Sequence, residues 1–178
     1  MKRISVVKSG QIPVRTSDTN LTEAVKLAEQ ARINRLQVIE GALTVENQLN
    51  TVILHYFFGP SHERRAAFES LVLNSDWCSF AAKRKLINQI INERKLLEGR
   101  DKNDLDVLIR RVMSVRNAFA HGRLSSDETR AWLSYFEASP REDELTDDYL
   151  TKIENLLLEA FDKTFDLAQK VGATIQAP

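Results

Sequence analysis

Arg116, Asn117 and His121, in the stretch RVMSVRNAFAHG (residues 111–122), place a permanent cation, an amide and an imidazole within two helical turns. Those types suit phosphodiester chemistry. Cleaving RNA without a metal needs a base for the 2′-hydroxyl, an acid for the leaving oxygen and fixed positive charge around the phosphate. Imidazole is the side chain whose proton moves near neutral pH. Arginine gives forked hydrogen bonds to phosphate oxygens, and an amide beside it can orient ribose or imidazole. The same residues also suit a helix end: cations are favoured at a helix C-terminus, and Gly122 is a fitting terminator. At the level of sequence both accounts stand.

At roughly 100° per residue, Arg116 falls about 40° from Val112, inside the apolar stripe Leu105, Leu108, Ile109, Val112, Val115 and Phe119. His121 lies about 180° from Val112, and Asn117 and His121, four apart, share a face. A guanidinium in an apolar stripe needs an anionic partner. Glu46, between Ala42 and Leu49 on an earlier helix, is the expected carboxylate. Because Arg116 and His121 diverge, one copy makes a poor site, and two copies across a two-fold axis would complete it. The expected interface includes the helix of residues 104–121 and the Glu46 helix.

The elements that must position these residues are mostly helices. Residues 1–19 form a basic N-terminal arm with Lys2, Arg3, Lys8 and Arg15, which reads as a frayed tail or an edge strand, or as a phosphate-contacting arm. A single helical domain is expected over 20–172. Asn20 with Glu23 reads as a capping box opening a helical segment to about Phe58, either two helices or one bent near Gly41. Ser61 opens a short helix, another follows Asp76, and Gly99 ends that region. Asn103 with Asp106 starts the segment carrying Arg116. Residues 130–137 read as a short strand or a helix, and EASPREDELTDD as an acidic turn. Thr146 caps a last helix with Leu150, Ile153, Leu157, Ala160, Phe161, Phe165 and Ala168 inward. The expected class is all-α, an up-and-down bundle of five or six helices with room for one short strand or hairpin near residues 124–137.

Lys+Arg and Asp+Glu balance at 25 each, so any nucleic-acid contact must come from a local patch. The basic pairs Lys83-Arg84-Lys85 and Arg110-Arg111 read as solvated helix faces, and Trp77, Trp132 and Tyr135 as core or interface. Cys78 is the only cysteine and the three histidines are scattered, so neither a disulfide nor a metal cluster is expected, nor any cofactor. There is no signal-peptide pattern, no window near a membrane span and no glycine-rich phosphate loop. A cytoplasmic protein with no membrane contact is expected.

Arg116-Asn117-Ala118-Phe119-Ala120-His121 resembles the Arg-polar-x-x-x-His signature of the HEPN superfamily. VENQLNTVILHYFF, FESLVLNSDWCSFAAKRKLINQII and the glycine following the histidine resemble its mannitol-operon-repressor-like branch, over roughly residues 38–125. The resemblance implies a dimeric helical bundle that binds RNA or nucleotide, with Arg116, Asn117 and His121 in the site positions. It implies either a metal-independent endoribonuclease of toxin–antitoxin, defence or RNA-processing type, or a non-enzymatic transcriptional or stress regulator. An antitoxin or regulatory protein is among the implied partners. Gly122-Arg123 follows the histidine where some toxins of the superfamily carry a modified tyrosine, and there is no helix-turn-helix signature.

Overall fold

A computed structural model of the chain describes residues 21–59 and 61–176; the basic arm of residues 1–19 and the Asn20 cap lie outside them. The order is α1 (Leu21–Phe58), α2 (Arg65–Phe68) continued by a π-helical turn (Glu69–Leu73), α3 (Phe80–Arg94) and α4 (Gly99–His121). There follow β1 (Arg123–Ser126), β2 (Ala131–Glu137), β3 (Ser139–Glu144) and α5 (Asp147–Gln176). The protein is thus mostly helical with a small three-stranded antiparallel sheet in the order β1-β2-β3. Two compact units share it: residues up to Gln37 with Asn117–Thr151, and Val38–Arg116 with the residues from Lys152 onward. We call them the first and second unit.

α1 is one helix and has no break at Gly41. Positions 24, 28, 31, 35, 38, 42, 45, 49 and 52 alternate steps of four and three, the 3.5-residue period of a packed seam. Every one is buried and apolar except the half-buried Arg35. Gly41 serves close packing in the second unit, since a Cβ there would stand 2.9 Å from Leu157 Cδ1. α1 stops at Gly59, whose φ of 68° is one that glycine adopts without strain and whose N–H donates back to the His55 carbonyl.

In the second unit the core gathers Val45, Leu49, Val52 and Ile53 of α1, Ile87, Ile90 and Ile91 of α3, Leu105, Ile109 and Val112 of α4, and Leu167 and Val171 of α5. α3 is capped by Ser79, whose hydroxyl accepts from the Ala82 N–H, and ends at Lys95, which takes the left-handed conformation at φ 50°. α4 therefore begins at Gly99, four residues before the Asn103 start expected from the sequence. The inward stripe of α5 is Ile153, Leu156, Ala160, Thr164, Leu167 and Val171. Phe165, expected inward, is 43% exposed, because the seam passes through Thr164, whose hydroxyl donates to the Ala160 carbonyl.

In the first unit, Asp127-Glu128-Thr129-Arg130 turns β1 into β2. One Asp127 carboxylate oxygen accepts from the backbone N–H groups of Thr129 and Arg130. Those bonds hold the Asp127 carboxyl down at about 2. The acidic stretch expected to be a turn contains β3, paired from Glu137↔Ser139 to Trp132↔Glu144. Its residues are polar on both sides, so no period-two pattern marked the strand. Thr146 caps α5 as expected, its hydroxyl accepting from the Tyr149 N–H at 3.1 Å.

Candidate functional site at the end of helix α4

α4 carries all three residues of the motif. Arg116 is the last residue of α4 in the second unit and is half-buried; Asn117 and His121 belong to the first unit and are both exposed. Their four-residue spacing puts the amide and the imidazole on adjacent turns of one face. Between them, Phe119 is fully buried and fixes which way that face turns.

Two features of the first unit hold this helix end. Gly122 is buried, and its N–H still donates to the Ala118 carbonyl at 2.8 Å. A Cβ at 122 would meet that carbonyl and stand 2.7 Å from Leu133 Cδ1 and 3.1 Å from the Ser134 carbonyl of β2. Glycine is required there for space, not for a left-handed φ, which in this chain occurs at Gly59 and Gly99 among the described glycines.

The second feature is Arg35. Its Nη2 donates to the Ala120 carbonyl at 2.7 Å, so the guanidinium sits on the negative end of the α4 dipole beside His121. Sequence reasoning missed Arg35, although the signal used for Arg116 was present: an arginine in an otherwise apolar seam. With Arg123 exposed at the start of β1, the first unit offers Arg35, His121 and Arg123 around one helix terminus.

Glu46 has a companion that the sequence did not announce. In the second unit its Oε1 accepts from Lys83 Nζ at 2.6 Å, with the lysine side chain only 4% exposed. Lys83, expected on a solvated face, is a core residue whose charge requires that carboxylate. Its neighbour Arg84 pairs with Asp106, which also accepts from Asn88 and pairs with Arg110. His55 is structural: its Nδ1 lies 3.0 Å from the Ala168 carbonyl, and Gly172 leaves room for the ring. Trp132 is buried, with Arg130 over its ring, whereas Trp77 is 69% exposed.

The chain is, then, a mostly helical protein with a small antiparallel sheet, whose α4 ends in a cationic terminus presenting an amide and an imidazole. Set against family models, curated proteins and solved structures, it matches none of them. Among the described residues, no helix is long and apolar enough to cross a membrane.

Proposed function

We propose that this chain is an RNA-binding, HEPN-like helical-bundle domain that cleaves RNA without a metal, at a site completed by a second copy. The observation that carries the reading is the exposure of Asn117 and His121 on adjacent turns of a helix end clamped by Arg35. A helix terminus kept only for stability needs neither an exposed imidazole nor a charged clamp from another helix. Arg35 also bears on geometry, because a general acid or base must stay within hydrogen-bond reach of the proton it moves.

In the reaction, the 2′-hydroxyl oxygen attacks phosphorus as one His121 imidazole takes its proton. The P–O5′ bond breaks, and the His121 imidazolium of the second copy protonates the leaving oxygen, giving a 2′,3′-cyclic phosphate and a 5′-hydroxyl. Arg116 makes forked bonds to the phosphate oxygens, and Asn117 orients the ribose or the imidazole. Roughly 140° separates Arg116 from His121 around the helix axis, which is why one copy does not suffice. The outward side of α1 in the first unit leaves Val25, Ile33 and Leu36 exposed, an apolar surface suited to a like copy.

The cellular test is growth on induced expression. Wild-type chain should arrest growth and His121→Ala should not, with both accumulating equally. Equal growth of the two strains, with soluble dimer present, would favour a regulator that binds without cutting.

A further inference from the structure

We propose that a cavity in the first unit is the socket for one adenine base of a single-stranded RNA, a short run of nucleotides away from His121. This assignment rests on the RNA-binding reading of the chain and adds which base is selected. The cavity, of about 230 Å³, lies between α1, the turn that joins β1 to β2, and the start of α5. Pockets for drug-sized ligands run to roughly 300–1,000 Å³, so this one suits a single ring system. Leu27, Ala31 and Leu145 supply apolar lining, and Gln30, Asn34 and Arg130 supply polar groups.

The one cation of the lining is already answered inside the chain. Arg130 Nε lies 3.4 Å from Asp127 Oδ2, and its Nη1 lies 3.9 Å from Glu144 Oε2. Its guanidinium lies over the Trp132 ring, 5.1 Å from the centroid. What the cavity then offers is a flat surface and neutral hydrogen bonds, which suit a heterocycle and not a phosphate. The indole covers one face of the guanidinium, and a base stacks on the other. The edge of that base meets an amide pair. Gln30 Nε2 donates to Asn34 Oδ1 at 3.1 Å, and this bond fixes what remains: the Gln30 oxygen accepts and the Asn34 amide nitrogen donates. An acceptor beside a donor matches the amino group and the adjacent ring nitrogen of adenine. Asp147, which also lines the cavity, accepts from the second amino hydrogen. Uracil has no amino group for these two acceptors, and cytosine lays less ring on the guanidinium.

The socket lies near His121. Asn34 precedes Arg35, whose guanidinium reaches the Ala120 carbonyl. β1 leads from Arg123 to Ser126, which stands opposite Ala131 of the cavity lining. Its 4 residues span about 13 Å. Stacked nucleotides advance about 3.4 Å each, so roughly four cover that length, and the selected adenine stands within about four nucleotides of the cut.

Fluorescence anisotropy of the full chain with 2′-O-methyl oligonucleotides of about eight nucleotides tests this. These probes lack the attacking hydroxyl, so the outcome is separate from cleavage and from the role of His121. The wild-type chain should bind the adenine oligomer at least about tenfold more tightly than the uracil oligomer. Gln30→Leu/Asn34→Leu should abolish that preference, with uracil binding and the melting temperature unchanged. Arg130→Lys keeps the charge and loses the plane, and should weaken the adenine oligomer about tenfold. In the wild type, the adenine oligomer should also shift the side-chain amide resonances of Gln30 and Asn34. Equal binding of the two oligomers by the wild type, or a preference that survives the double variant, would overturn the proposal. Adenosine monophosphate binding as tightly as the adenine oligomer would overturn it too, by giving the socket to a free nucleotide.

Discussion

Arg35 Nη2 and the Ala120 carbonyl oxygen are 2.7 Å apart, although 85 residues separate them in sequence. The bond joins the one charged position of the α1 seam to the turn of α4 that carries His121. A hydrogen bond from a charged donor contributes about 1.5–3 kcal/mol when its loss strands a partner. Arg35→Ala should therefore lower the unfolding free energy by about 1–3 kcal/mol in urea denaturation. It should also slow RNA cleavage more than Gln37→Ala, which removes an exposed neighbour. Unchanged stability and cleavage in Arg35→Ala would show that the clamp does not hold the site.

The buried Lys83–Glu46 pair should respond asymmetrically. Glu46→Ala leaves an ammonium in the core of the second unit and should cost about 3–5 kcal/mol. The double variant Glu46→Leu/Lys83→Met removes both charges and should recover most of that loss. Equilibrium denaturation of Glu46→Leu, Lys83→Met and the double variant measures the coupling; additive losses would show that the ion pair is not what the lysine depends on.

Tyr135 and Tyr149 both donate to Asp143 Oδ2, at 2.9 and 3.1 Å. Burial, then the hydrogen bond to Asp143, pushes the Tyr135 hydroxyl up to about 12, and burial with the Asp143 charge pushes Tyr149 up further. A raised folded-state pKa means that the bound proton favours the fold. That contribution is fully present below the unfolded value near 10 and is lost as pH rises through about 12. Ultraviolet titration of the phenolates should show Tyr135 ionising about two pH units above free tyrosine, and Asp143→Asn should bring it down. A midpoint near 10 in the wild type would contradict the network.

Much of the candidate site was legible in the sequence because it is local. An arginine inside an apolar stripe, an amide four residues before a histidine and a glycine at the helix end are all read along one helix. The Thr146 cap and a hairpin near residues 124–137 were legible for the same reason. What depends on distant residues was not. Gly41 looked like a kink or a break because nothing in its neighbourhood announces Leu157, and Gly122 was legible as the helix terminator but not as the close approach to Leu133 and Ser134, which lie on another strand. Lys83 looked solvated because it stands in a basic run, and only the fold brings its ammonium to the Glu46 carboxylate. β3 was hidden by its own composition: an edge strand of serine, proline and charged residues gives no apolar alternation.

The most direct test of the proposed function is single-turnover RNA cleavage by purified chain in excess EDTA, comparing wild type with His121→Ala. Cleavage should persist in the chelator and leave a 2′,3′-cyclic phosphate. The His121→Ala rate should be about 10²–10⁴ lower, with the helical circular dichroism unchanged. Cleavage that appears only with added Mg²⁺ or Mn²⁺, or a His121→Ala chain that cuts at the wild-type rate, would contradict the mechanism.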